Sequence, residues 1–383
     1  MRIGIVSSDF PPYVGGMASH VYELSKTLGA QGHRVWVIAS NPRCGPAQVT
    51  EDGFEIHRVS IRDIRRTKNL QFVLRAGMLL RRLVKENNIE IVHCHGLYPD
   101  AVATKFVLDN APVVFTNHSS QFLMTVKNKR VHPWLRFQLS HMQKIIAPSR
   151  ELALATESLG ISPKKIIYIP NGVNHQQFCP LADVTPIRKR LGIADNAIVV
   201  LSPRRLVPKN GVVYFARAVP MILKAVSQAR FVFVGDGPER DIIIQELRTS
   251  GVMEYVTWVG EVPNSEMPDY IAASDIVVLP SLMEATSIAG LEAMACGKPL
   301  VGTCVGGLPE IIEDRVTGIV VPPADPTALA DAIIELVISH SKRMDMGRAA
   351  RKRVTEEFSW HTIAQKTVEV YREVQDSVTR GKL

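Results

Sequence analysis

Short apolar runs of strand length alternate with longer amphipathic stretches along the chain, and this alternation constrains the fold more than any other feature. Arg2–Ser7 reads as a strand, Met17–Gly32 as a helix and Arg34–Ala39 as the next strand, a β-α-β unit that calls for parallel pairing. Further strands are expected at Ile89–His93, Val113–Asn117, Lys144–Ala147 and Lys165–Ile169. A second series follows at Ala197–Ser202, Arg230–Gly235, Tyr255–Gly260, Asp275–Pro280, Pro299–Thr303 and Gly318–Val321. Strands separated by helices form parallel sheets covered on both faces. With 383 residues and a seam at Pro170-Asn171-Gly172-Val173, the pattern predicts an α/β fold of two doubly wound, Rossmann-like domains facing a central cleft. Ligands of such sheets sit beyond the carboxyl ends of the strands, so chemistry is sought in the loops that follow them.

Hydrophobic residues at 46% and charged residues at 21% exclude a disordered or disulfide-scaffold class. No apolar stretch reaches spanning length and the amino terminus lacks a signal-peptide pattern, so the expected location is cytoplasmic. Five cysteines (Cys44, Cys94, Cys179, Cys296, Cys304) without a C-x-x-C pair are read as reduced thiols with packing roles. Net charge is uneven: residues 1–173 hold 22 Lys/Arg against 12 Asp/Glu, and residues 174–383 hold 23 against 25. Much of the excess lies from Arg62 to Lys85, where Arg65, Arg66, Arg81 and Arg82 interleave with apolar residues. That segment suits an anionic surface or an ordinary amphipathic surface helix. Nucleic acid is not expected as a partner, because no recognition motif accompanies the charge.

Several strand ends carry candidate ligand residues. Gly15-Gly16 opens the first helix, where paired glycines admit a ligand to free amides or supply a turn with positive φ. His118 follows the strand Val113–Phe115, and no histidine or cysteine spacing suggests a metal site. Arg204, Arg205 and Lys209 follow Leu201, and two fixed cations there would hold a diphosphate. Gly235, after Val234, either lets a nucleotide approach or makes a turn. In Glu284-Ala285-Thr286-Ser287-Ile288, a carboxylate lies in a strand-end loop and Thr286 or Ser287 caps a helix. Its start offers amides to an anion, and Glu292 within it could grip a ribose diol.

These motifs in this order resemble the family 4 retaining glycosyltransferases of the GT-B fold. The resemblance is carried by Gly15-Gly16 with His20 and Glu23, Thr116-Asn117-His118, Ile169-Pro170-Asn171-Gly172-Val173, Arg205 to Gly211, Val234 to Pro238, Glu284 to Glu292, and Val305 to Glu310. It implies an acceptor-side domain at 1–173, a donor domain at 174–359, and a last helix, 360–383, that returns to the first. It implies transfer of a sugar from a nucleotide-diphosphate donor, UDP- or GDP-linked, to an acceptor hydroxyl, with retention. No Asp-x-Asp occurs in the chain, so a bridging metal has no anchor and Arg205 with Lys209 should replace it, and no cofactor is expected.

Catalytic roles would fall to His118, Glu284, Arg205 and Lys209. Donor contacts would come from Gly15, Gly16, Arg204, Asn210, Gly235, Thr286, Ser287, Ile288 and Glu292, with the backbone near Val262 meeting the base. Members usually carry lysine directly before the glycine of the Arg-Leu loop, and here Asn210 stands there with Lys209 before it. Either Lys209 reaches the phosphate from a shifted register or Arg204 supplements the charge. The acceptor is expected to be a carbohydrate, a lipid-linked molecule or a small molecule, and the charge split points to one that is lipid-linked at an anionic membrane surface, with peripheral attachment at the inner membrane face, or is itself an anionic small molecule. The alternative class is a non-catalytic partner subunit that keeps the nucleotide pocket.

Overall fold

The computed structural model describes residues 1–13, 15–41, 48–62, 64 and 67–381. The chain divides into two compact units, Met1–Asn171 with Trp360–Leu383, and Gly172–Ser359. Each is a Rossmann-like α/β unit built on one sheet.

In the first unit the strands are β1 (Arg2–Val6), β2 (Arg34–Asn41), β3 (Gln48–Glu51), β4 (Phe54–Ser60), β5 (Ile91–Cys94), β6 (Val113–Thr116), β7 (Lys144–Ala147) and β8 (Ile166–Tyr168). Their order is β3-β4-β2-β1-β5-β6-β7-β8. β1 pairs in parallel with β2 on one side and β5 on the other, with Ile3 opposite Val35 and Ile91. The central strands are apolar on both faces because helices cover both. Ile3, Ile5, Ile91, Val113 and Val114 are fully buried.

The crossover helices Gly16–Ala30 and Lys68–Asn87 both pack on the sheet; β1 leads to β2 in one direction along it and β4 to β5 in the other, so right-handed crossovers would set the two helices on opposite faces. The first packs against the helix Trp360–Thr379. Val21, Leu24 and Leu28 share one core with Ile363, Val370, Tyr371 and Val374. At about 1.5–3 kcal/mol for each large apolar side chain removed from water, the returning helix is an integral part of this unit's core. The Lys68–Asn87 helix buries Phe72, Ala76, Leu80 and Leu83 at helical spacing and ends at Asn88, whose left-handed backbone (φ 49°) closes the last turn.

One strand breaks the parallel expectation. β3 is antiparallel to β4, a hairpin that the apolar runs do not mark. Its turn is Asp52-Gly53, with φ of 48° and 86°, the mirror-image turn that matches strand twist.

The second unit holds β9 (Ile198–Pro203), β10 (Ala229–Val234), β11 (Val256–Gly260), β12 (Ile276–Leu279), β13 (Leu300–Thr303) and β14 (Gly318–Val321). Their order, β11-β10-β9-β12-β13-β14, reverses direction at β9. Loops after β9 and β12 therefore open at the switch point where a ligand finds room. Phe215, Val219 and Ile222 of the Val212–Ala225 helix pack on Phe231 and Phe233 of β10.

Cys94 and Cys296 are buried, in keeping with packing roles, whereas Cys304 is exposed just past β13, which corrects that assignment. Cys44, Arg65 and Arg66 lie outside the described residues. Among the described residues no helix is long and apolar enough to cross a membrane.

Candidate functional site

The carboxyl ends of β9, β10, β12 and β13 bring together residues spread over a hundred positions of the second unit. Backbone contact welds these loops. Gly306 has φ 55°, and a Cβ there would stand 1.7 Å from the carbonyl oxygen of Glu284, so only glycine lets the loop after β13 close on the loop after β12. Gly235, expected to admit a nucleotide, lies against protein backbone: its Cβ would stand 2.2 Å from the carbonyl oxygen of Arg204.

Inside this frame Arg204 and Glu284 form an ion pair at 2.6 Å, with side chains only 11% and 13% exposed. The same Arg204 Nη2 donates to Asn210 Oδ1 and Ser281 Oγ, each at 2.9 Å. Asn210 is buried and donates to the Arg205 carbonyl oxygen at 2.7 Å. Arg204 and Asn210, expected beside the donor, are thus engaged with the protein itself, Arg204 in setting the Glu284 carboxylate. Arg205 and Lys209 are exposed. The Lys209 carbonyl oxygen accepts from the amides of Leu282 and Met283 at 2.8 and 3.1 Å, which ties the two loops together.

Ser287, rather than Thr286, caps the helix Ile288–Ala295, its Oγ accepting from the Gly290 amide at 3.2 Å. Thr286 Oγ1 is buried with no partner among the described residues. A turn further on, Glu292 is buried and accepts from Asn264 Nδ2 at 3.2 Å. Burial pushes its carboxyl up to about 7. Asn264 follows Val262 past β11, and nothing in its polar loop marks it in the sequence. Val262 is half-buried against the core below.

In the first unit, Gly16 begins the Gly16–Ala30 helix. Gly15 has φ 168°, extended backbone that any residue adopts, so the reading of a turn that needs positive φ is corrected for this position. A Cβ there would meet nothing within 4 Å.

His118 follows β6 and faces His95, which follows β5, with His95 Nδ1 3.0 Å from His118 Nε2. His20, from the first helix, bonds through Nδ1 to Asn171 Oδ1 at 2.9 Å. Ring nitrogens of His20, His95 and His118 lie within 4.8 Å of one another. Three imidazoles with metal-ligand chemistry thus assemble from positions whose spacing suggested no such group. Burial holds all four neighbouring histidines below the usual imidazole range, His20 to about 4 and His93 to about 3. They are therefore neutral at neutral pH.

Beside them a cavity of about 370 Å³ is lined by Ser8, Asp9, Tyr98, Asp100, Asn117 and His118, among others. Burial raises the Asp100 carboxyl to about 7.

Two family models match the chain: "Glycosyltransferase Family 4" over residues 14–177 and "Glycosyl transferases group 1" over residues 183–353. A phosphatidylinositol N-acetylglucosaminyltransferase chain of Arabidopsis thaliana is 30% identical over 380 residues, covering 97% of this chain and 81% of that protein. Among solved structures, sucrose-phosphate synthase from Thermosynechococcus elongatus superimposes with a TM-score of 0.81 at 22% identity, covering 98% and 99% of the two chains. Anabaena HepE in complex with UDP and glucose gives 0.77 at 19% identity, covering 97% and 100%. At these identities the likeness to solved structures shows the fold.

Proposed function

This chain belongs to the family 4 glycosyltransferases of the GT-B fold, and from that membership we propose that it moves a sugar, with retention, from a UDP- or GDP-linked donor to a hydroxyl of a lipid or glycan precursor. The observation that carries the donor half is the Ser287-capped helix start at the switch point of the second sheet, with the buried Thr286 hydroxyl unpartnered among the described residues and Glu292 inside. Amides at a helix start favour an anion, and exposed Arg205 and Lys209 supply fixed positive charge for a diphosphate. Glu292 and Asn264 suit a ribose diol, and the backbone near Val262 suits the base. Glu284, set by Arg204, takes sugar hydroxyls, while Gly15 and Gly16 leave room for phosphate. UDP bound to HepE supports a uridine donor.

In the reaction the bond from the anomeric carbon to the phosphate oxygen breaks, and its electron pair stays on the leaving nucleotide diphosphate. The acceptor oxygen attacks from the same face, and its proton passes to the departing phosphate. Positive charge grows on the sugar while negative charge grows on the phosphate, so preorganised Arg205, Lys209 and helix-start amides act most strongly in the transition state. His118, neutral and lining the first unit's cavity, is the group this reading assigns to the donor sugar.

Two further parts of this reading are that no metal takes part and that the enzyme attaches peripherally to the inner membrane face through the basic Lys68–Asn87 helix. The phosphatidylinositol in the name of the Arabidopsis relative supports a lipid acceptor. Thermal shifts with UDP, GDP, ADP and dTDP test the donor, because a nucleotide at 100 times its Kd stabilises by about 2.7 kcal/mol. Sugar release from the matching donor should persist in excess EDTA. No shift with any nucleotide would overturn the reading, and activity restored only by Mg²⁺ would overturn its metal-free form.

A further inference from the structure

One layer of helices in the first unit has an outer side unlike the rest of the surface. The Lys68–Asn87 helix packs on the turn Thr104–Val107 and the short helix Asp100–Ala103, which packs on the helix His132–Leu139. Outward from this layer, Leu74 and Met78 are 47% and 59% exposed, Leu108 is 44% exposed, and Trp134 and Phe137 are 46% and 48% exposed. The Trp134 and Phe137 rings stack at 5.5 Å and 16°, and Tyr98 meets Trp134 edge-on at 5.7 Å. Lys105 Nζ stands 4.2 Å over the Phe137 ring. Tyr98 is also a wall of the cavity that holds Asp100 and His118, so an aromatic strip leads from open surface to candidate site.

The elements that carry these residues also carry exposed cations. Arg75, Arg81 and Arg82 are exposed on the first helix, and Lys127, Lys129 and Arg130 are exposed just before the last. Glu86 offsets Arg82 through a pair at 3.7 Å, and Asp109 is an exposed carboxylate near Leu108. Neither changes the sign of the face.

Exposed aromatic side chains packed on one another, Trp134 on Phe137 and Tyr98 on Trp134, mark a contact site. Protein interfaces are depleted in lysine at their centres. Tryptophan with Lys and Arg is the composition that settles at the headgroup level of an anionic bilayer.

We propose that this face lies on an anionic membrane, with Trp134 and Phe137 at headgroup depth and the exposed cations over lipid phosphates. The hydroxylated headgroup of a lipid acceptor then enters the cavity past Tyr98 while its tails stay in the bilayer. Only this last step rests on the glycosyltransferase reading. The docking stands or falls separately.

Trp134 reports on the face directly, because Trp36 and Trp360 are 2% and 8% exposed and Trp258 is half-buried. The full chain is mixed with phosphatidylcholine vesicles with and without phosphatidylglycerol, and sedimentation and tryptophan emission are followed together. Expected are sedimentation with the anionic vesicles alone, reversal by salt, and a blue shift with protection from acrylamide. Trp134→Phe should keep most of the sedimentation and lose the emission shift. The double variant Trp134→Ala, Phe137→Ala should bind roughly tenfold more weakly or worse while its urea midpoint and UDP thermal shift stay those of wild type.

Sedimentation with unmoved Trp134 emission would overturn the proposed face and keep membrane attachment. No sedimentation at all would overturn both. Protection of Trp134 without lipid, with a dimer by light scattering, would assign the face to a second copy. A wild type that docks but shows no nucleotide shift would leave the docking standing and remove the donor reading.

Discussion

Arg204 Nη2 lies 2.6 Å from Glu284 Oε2, and the same nitrogen holds Asn210 and Ser281. The carboxylate assigned to the donor sugar is therefore oriented before any sugar arrives, by the arginine that precedes the exposed Arg205. Orientation fixed in advance need not be paid for during reaction. On the proposed reading Arg204 positions the carboxylate and the exposed Arg205 is left for the phosphate, though the two are neighbours in sequence.

Arg204→Ala should lower kcat for transfer about 100-fold while changing the UDP thermal shift little, since the nucleotide itself does not depend on Glu284. Removing one partner of a pair this buried also costs about 3–5 kcal/mol in stability. Arg204→Lys should recover part of the stability and less of kcat, because a compact ammonium on a flexible stem lacks the rigid planar guanidinium that fixes the carboxylate's direction. Equal loss of kcat and nucleotide affinity would mean that Arg204 has no separate effect on the sugar.

Arg205→Ala should behave in the opposite way. The side chain is exposed, so unfolding in urea should change by no more than about 0.5 kcal/mol. Turnover should nevertheless fall about 100-fold or more, the loss expected when a preorganised charge is removed from a developing phosphate anion. A variant with wild-type kcat would remove Arg205 from the reaction.

Glu292 makes a pH dependence predictable in sign. Burial raises its carboxyl from the ordinary 4.5 to about 7 in the folded protein. Between those values the folded state holds a proton that the unfolded state has lost. Its contribution is fully present below about pH 4.5 and is lost as pH rises through about 7, amounting to about 3 kcal/mol. Glu292→Gln should remove this part of the slope and leave the part due to Asp100, which is raised in the same direction. If Glu292 takes the ribose diol, the hydroxyls donate to its ionised form, so UDP should bind more tightly, with proton release, as pH rises through about 7. Titration calorimetry in buffers of different ionisation heat reads that release, and pH-independent binding would remove Glu292 from the ribose.

The strands legible in the sequence are those buried on both faces. Val113–Phe115 and Val199–Leu201 are unbroken apolar runs, and every residue in them is buried. The β3–β4 hairpin escaped because its strands alternate polar and apolar at a sheet edge, although Asp52-Gly53 is a turn signal. Arg204 and Arg205 could not be ranked from sequence, since successive side chains leaving a strand point to opposite sides. The histidine group was hidden for a topological reason. His95 and His118 follow adjacent parallel strands, β5 and β6, and His20 comes from a crossover helix, so only the strand order brings their rings together.

Gly15 separates a demand of the fold from a demand of a ligand. Its backbone is extended and a Cβ there meets nothing within 4 Å, so Gly15→Ala should fold normally and unfold within about 0.5 kcal/mol of wild type. Gly306→Ala is the control, because its Cβ would lie 1.7 Å from the Glu284 carbonyl oxygen and must move the loop that carries Glu284. If the donor phosphates rest on the start of the first helix, the methyl group at position 15 occupies their place. Steady-state kinetics of Gly15→Ala should then show a loss of kcat/KM for the donor of about tenfold or more, equivalent to about 1.4 kcal/mol, with UDP affinity of the second unit's residues largely kept. Gly306→Ala should lose both stability and kcat. Full activity in Gly15→Ala would mean that no phosphate approaches this helix start and that the glycine is there for neither fold nor ligand.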